Sequence, residues 1–204
     1  MKILVFYGST HGHTATIADR IAARLRAGGA QVLVTGRPED VRVADFDAVV
    51  VGGRVHGSRY PWRVTRFIRR NRGVLKSRPT AFFSVSLLQH SIDPIQRSNT
   101  ETLPGQVLPK LGWVPDRTEV IGGALFWKAQ YGILAPLFKR MWRRTLGSSL
   151  DPTRSEQVFT DWSQVDRFAE SFLRLATSRG ENHGAVVSTD ACNARASPVI
   201  ADLD

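Results

Sequence analysis

The opening residues place the strongest constraint on the fold. Ile3-Leu4-Val5-Phe6-Tyr7 is an unbroken apolar run that stops at Gly8. A strand with one wet face alternates apolar and polar residues. A strand that is apolar throughout is covered on both faces, as in a parallel sheet with helices above and below it. Strand-like runs recur at 31–35, 47–52, 80–86 and 119–124. Helical patterns separate them. Ile17, Ile21, Ala22 and Leu25 share one face, and Gly28-Gly29 ends that helix. Val64, Phe67, Ile68 and Leu75 mark a second helix over about 62–76, with its arginines outward. A polar stretch with Pro94, Pro104 and Pro109 holds one irregular helix. Val165, Phe168, Ala169, Phe172 and Leu173 mark a last helix over about 162–176. This alternation predicts an α/β fold with a doubly wound sheet of five parallel strands. Residues 125–157 do not belong to the minimal pattern and read as an insert.

A chain of 204 residues buries roughly 70% of its unfolded surface and needs no disulfide or structural metal to fold. Cys192 is the single cysteine, so the chain has neither an internal disulfide nor a cysteine metal cage. A reducing cytoplasm is the natural setting. The N-terminal apolar run is too short for a signal peptide, and no stretch reaches the length of a membrane span.

Net charge is +10, and its distribution is uneven. Glu181, Asp190, Asp202 and Asp204 face only Arg195 in the segment after Gly180, so residues 1–180 carry +13. That body attracts anions. Residues 181–204 lack periodicity and read as a disordered tail, which leaves residues 1–180 as the one folded domain.

Open parallel sheets bind ligands beyond the carboxyl ends of their strands. The first such loop is Gly8-Ser9-Thr10-His11-Gly12-His13-Thr14. It offers hydroxyls, small residues and backbone N–H groups at a helix start, which together stabilise a phosphate. An ordinary strand-to-helix turn with a Ser/Thr cap uses the same residue types. The loop lacks the Gly-Lys-Ser/Thr of a P-loop and the G-x-G-x-x-G of a dinucleotide site.

Gly8-Ser9-Thr10-x-Gly12-x-Thr14 resembles the FMN-phosphate loop of flavodoxins. The resemblance implies the strand order 2-1-3-4-5. It makes Ser9, Thr10, His11, Gly12, His13 and Thr14 the phosphate cradle. Gly53, Arg54, Val55, His56 and Gly57 after the third strand would flank the flavin ring, as would Ser84, Val85, Ser86, Leu87, Leu88 and Gln89 after the fourth. Neither of those loops offers an obvious aromatic residue to stack on the ring, and Tyr60 lies just beyond one of them.

Further stretches resemble one branch of that family, the menaquinone-dependent protoporphyrinogen oxidases of heme biosynthesis. They are Phe82-Phe83-Ser84-Val85-Ser86-Leu87, Trp113-x-Pro115-Asp116-Arg117, Val120-Ile121-x-Gly123-Ala124-Leu125 and Phe159-Thr160-Asp161-Trp162. The likeness runs over about residues 2–177. It implies a porphyrinogen substrate, FMN as the redox group and a membrane quinone as acceptor. Conversion to the porphyrin removes six electrons, so the flavin must be reoxidised three times.

The insert adds a second feature. No acid occurs between Val120 and Leu150, while Lys128, Lys139, Arg140, Arg143 and Arg144 do. From Leu134 onward the apolar positions Leu137/Phe138, Met141/Trp142 and Leu146 recur at helical spacing, with Pro136 near the start. Such a helix lies on an anionic membrane surface or touches an anionic substrate, with Trp142 and the bases as contacts. Packing on its own domain with a solvated basic face is the alternative. The expected location is therefore cytoplasmic and peripheral on the inner face of the cell membrane. Nucleic acid and metal are not among the expected partners. No catalytic side chain stands out. Competing readings are a flavodoxin-type electron carrier, an FMN-dependent NAD(P)H:quinone reductase and a non-enzymatic anion-binding module.

Overall fold

The computed structural model describes residues 1–8, 12–127, 134–151 and 153–193, with side chains described as far as residue 180 apart from that of residue 40. The five apolar runs form strands β1 (Lys2–Gly8), β2 (Gln31–Thr35), β3 (Ala48–Arg54), β4 (Thr80–Ser86) and β5 (Arg117–Gly122). They pair in parallel in the order β2-β1-β3-β4-β5. The doubly wound architecture and the strand order are those expected.

Strand alternation splits the core in two. Ile3, Val5, Ala48, Val50, Ala81 and Phe83 pack against helix α1 (His13–Ala27) and the last described helix (Trp162–Asn193). Leu4, Phe6, Val49, Val51 and Phe82 point the other way, into a cluster with helix α2 (Trp62–Ser77), Leu103 of helix α3 (Pro94–Val107) and Trp113. Successive strand side chains face opposite sides, so two continuous apolar layers follow from runs with no polar interruption. Gly52 is required at the sheet centre, because a Cβ there would lie 2.0 Å from the Phe83 ring.

Across the first layer, Asp166 of the last helix accepts from Arg20 Nε and Nη2 at 2.7 Å each and from Arg24 Nη2 at 2.5 Å. The two guanidiniums hold the Asp166 carboxyl well below the usual carboxylate range.

The structure corrects three expectations. The fifth strand ends at Gly122 rather than running to Ala124. Ala124–Phe126 (β6) leaves the main sheet and pairs antiparallel with Glu156–Val158 (β7), a small sheet that apolar periodicity over three residues is too short to reveal. The last helix, expected to end near residue 176, continues as helical backbone to Asn193; residues 194–204 lie outside the described residues.

The insert helix (Ala135–Leu146) starts with Pro136 in its first turn, where proline costs no hydrogen bond. Leu125, Trp127, Leu146 and Leu150 form its own satellite core, with Leu87, Phe138, Trp142 and Phe159 packed around them. The Ile92 backbone N–H donates to the Thr145 carbonyl at 2.8 Å and the Ser91 hydroxyl to the same oxygen at 3.2 Å, which ties the end of the helix to the loop after β4.

Candidate functional site

Three strand ends and the insert helix enclose one cleft. Its cavity volume is about 410 Å³, within the common range for small-molecule sites. His13 and Thr14 come from the start of α1. Arg54, Val55, His56 and Gly57 follow β3, and Val85, Ser86, Leu87 and Leu88 follow β4. Gly123 and Ala124 close one end, and Phe138, Met141 and Trp142 of the insert helix form the remaining wall. Three larger cavities lie elsewhere among the described residues, one beside Trp62 and Arg66, one beside Met1 and Lys76 and one beside Glu119 and Arg174. The strand-end cleft is the one where fold topology and loop chemistry coincide.

Gly12 takes φ +89°, a left-handed conformation that glycine adopts without strain. Its carbonyl accepts from Ala15 and Thr16 N–H at 2.8 and 3.1 Å. Among the described residues no side chain caps α1, and its first turn carries no acid. The leading N–H groups of an uncapped helix are donors in search of an anion. Ser9, Thr10 and His11 lie outside the described residues.

The second loop leaves β3 through a tight turn. Val55 N–H donates to Val85 O at 2.8 Å, and His56 and Arg59 exchange backbone hydrogen bonds at 3.0 and 3.1 Å. Gly57 and Ser58 both take positive φ between them. In the third loop the Ser86 hydroxyl accepts from Leu88 N–H at 3.2 Å. Arg54 Nε and Gln89 Oε1 are buried without a hydrogen-bond partner among the described residues. Buried polar atoms normally have partners, so Arg54, which lines the cleft, argues for a polar group that completes the site.

Three sequence-selected residues stand behind the cleft rather than in its lining. Gly53 is buried, and a Cβ there would meet Tyr60 at 3.1 Å. Ser84 is fully buried and accepts from the Tyr60 hydroxyl at 3.0 Å. Burial pushes the Tyr60 phenol up to about 12 and removes its ring as a stacking partner. Gln89 does not reach the lining. Among the insert bases, Lys139 lies over the Trp127 ring at 5.5 Å, and Arg140, Arg143 and Arg144 are exposed. Lys128 lies outside the described residues.

Sequence reasoning missed Phe138, Met141, Gly123 and Ala124 as cleft residues. The aromatic wall missing from the β3 and β4 loops comes from the insert, through Phe138 and Trp142. Their i, i+4 spacing was the available signal, since it places both on one helix face.

A doubly wound sheet of this order, with an uncapped helix start and a cleft across three strand ends, defines a flavodoxin-like protein. The family model described as a flavodoxin domain matches residues 4–146, and the chain belongs to that family. FMN is the cofactor of this domain, and the residues here fit it: donors without an acid at α1, an unpaired buried polar atom on Arg54 and an apolar wall. The chain is 32% identical over 178 residues to the protoporphyrinogen IX dehydrogenase [quinone] of Escherichia coli strain K12, covering 86% of this chain and 96% of that one. It is 29% identical over 180 residues to the protein of the same name from Leishmania major, covering 85% and 75%. A short-chain flavodoxin associated with a bacterial microcompartment shares the fold at TM-score 0.51 and 16% identity, covering 86% of this chain and 99% of that one.

Proposed function

We propose that this FMN-type oxidoreductase takes electrons from a porphyrinogen and passes them to a membrane quinone. One observation carries the reading. The insert helix supplies Phe138, Met141 and Trp142 as the fourth wall of the cleft, an apolar surface suited to a broad, flat donor. The names of the two relatives point the same way.

In this reading the α1 start and its loop hold the FMN phosphate. The amides of residues 11–13 and the hydroxyls of Ser9, Thr10 and Thr14 neutralise it without a lysine. The Arg54–Gly57 and Val85–Leu88 backbones hold the ring, and Gly53, Ser84 and Gln89 support those loops from behind. Bound FMN supplies the two-electron chemistry. Arg54 offers a guanidinium to a substrate carboxylate at the cleft edge. The apolar wall excludes water from the reacting faces.

The insert helix also divides by face. Phe138 and Trp142 turn inward, while Leu134 and Leu137 are 54% and 67% exposed beside Arg140, Arg143 and Arg144. Apolar side chains flanked by exposed arginines suit the boundary of an anionic membrane, where a quinone resides. This surface fits a protein resting on the cytoplasmic side of that membrane. No helix among the described residues is long and apolar enough to cross one.

The test is anaerobic mixing of the FMN-loaded protein with protoporphyrinogen, followed by a menaquinone analogue. Bleaching of the flavin absorbance and its return on quinone addition are expected. A flavin that stays oxidised with porphyrinogen overturns the reading. Separately, sedimentation with anionic liposomes should fall at least tenfold in the R140Q/R143Q/R144Q variant. Unchanged sedimentation removes the membrane role.

A further inference from the structure

Among the described residues, no aspartate or glutamate lines the cleft. The proton acceptors those residues place on its wall are the imidazoles of His13 and His56, and oxidation of an N–H or O–H donor must release protons. Of these two rings, His13 is fixed by its contacts. Its Nε2 lies 2.7 Å from Thr160 Oγ1, and the Thr160 hydroxyl donates at 2.6 Å to the Gly122 carbonyl. A hydroxyl has one proton, and a carbonyl has none to give. Thr160 therefore accepts from His13, so His13 carries its hydrogen on Nε2. Its Nδ1 keeps a lone pair and has no hydrogen-bond partner among the described residues. Phe126 and Trp162, at 5.9 and 6.1 Å between ring centroids, hold the imidazole in place.

We infer that His13 Nδ1 is the proton acceptor of the cleft, with Thr160 as its positioning residue. The inference deepens the proposed function and rests on it. In each two-electron step the porphyrinogen loses a hydride from a bridging CH2 to bound FMN and a proton to His13 Nδ1, and it gains one double bond; over the three steps two of those protons come from N–H groups and one from the remaining bridging CH2. The quinone then takes two electrons and two protons, one proton arriving with the electrons as hydride and one from the His13 imidazolium. His13 ends neutral, ready for the next round.

Burial holds the His13 pKa below its ordinary value, so the ring is neutral and able to accept at neutral pH. The positive end of α1 acts in the same direction. Among the described residues, Arg54 and His56 are the charged or titratable ones sharing the cleft wall. Asp161, next to Thr160, is paired with Arg167 at 3.5 Å. A phosphate dianion at the α1 start opposes the lowering and brings the pKa toward working pH, where a general base is most effective.

The experiment uses the full chain. Long-range ¹H–¹⁵N spectra of the FMN-free protein read the tautomer. The Nε2–H form of His13 is expected, and the Nδ1–H form overturns the inference. Anaerobic stopped-flow reduction by protoporphyrinogen is then followed from about pH 5.5 to about pH 9. H13Q keeps an N–H for Thr160 but accepts no proton, so its rate falls about 100-fold and the pH inflection disappears. Rates are compared between fully FMN-loaded proteins, so a change in flavin affinity does not enter the comparison. T160V lowers the rate about tenfold and mixes the tautomers, and T160S restores both. An H13Q rate within about threefold of the parent, with the inflection intact, overturns the inference. If porphyrinogen reduces neither protein, the functional reading fails on its own. The same variants with menadiol, which also sheds protons, and the tautomer itself then decide the role of His13.

Discussion

The cleft has two kinds of wall. The α1 start and the β3 and β4 loops are ends of elements anchored in the two large core layers, and Ile3, Leu4, Val49, Val50, Phe82 and Phe83 behind them are fully buried. The insert wall stands on a core of four buried residues, Leu125, Trp127, Leu146 and Leu150. The first wall cannot fail without unfolding the domain. The second can loosen locally while the sheet survives. The part of the cleft assigned to cofactor thus rests on the rigid scaffold, and the part assigned to substrate on a separable unit.

Substitutions break this contrast in graded ways. Phe82→Ala removes a fully buried ring packed between Tyr60 and Trp113. It should cost about 3–5 kcal/mol and lower flavin retention and global stability together. Urea unfolding followed by flavin fluorescence and by circular dichroism should show coincident, shifted transitions. Leu146→Ala empties the satellite core instead and should cost about 2–3 kcal/mol locally. Hydrogen exchange should accelerate over 135–146 but not in β1, and porphyrinogen turnover should drop with FMN affinity preserved. A uniform acceleration through the sheet would show that the two walls are one cooperative unit.

Gly12→Ala forces a side chain into the left-handed region and costs about 1–2 kcal/mol. Its effect should appear as weaker FMN binding, measured by fluorescence titration, and leave the insert unchanged. Asp166→Asn has the smallest expected effect, a few degrees in melting temperature at pH 7. Its pH dependence carries the information. The folded-state carboxyl titrates below its unfolded value, so its contribution is complete above the ordinary carboxylate pKa of about 3.9 and is lost as pH falls. The gap in melting temperature between parent and variant should begin to shrink below about pH 4 and close only as pH falls through the depressed folded-state value.

The sheet was legible because its central strands declare themselves locally: the apolar runs of β1 and β3 need cover on both faces, and a small residue ends β1 at Gly8, whereas β5 opens with Arg117-Thr118-Glu119 and its bounds were the less sharp for it. The loops followed from the strand ends. Their lining and supporting residues did not separate, because Ser84 and Ser86 are two apart on one strand and sequence alone does not say which faces the cleft. The insert was half legible. Its helix showed in the 134–146 periodicity, whereas β6 and β7 are three residues each and pair across a long separation. The His13–Thr160 contact joins residues 147 positions apart and has no local signature at all.

Gly123 sits between β5 and β6. Its N–H donates to Ser86 O at 3.1 Å, and its carbonyl accepts from Phe159 N–H at 2.9 Å. One residue is thereby riveted to the fourth strand's exit on one flank and to the approach of the last helix on the other. Any tilt of the small sheet pivots about this pin and tugs on Ser86, so a bulky guest pressing on the aromatic wall is felt at the backbone of the β4 loop without passing through solvent.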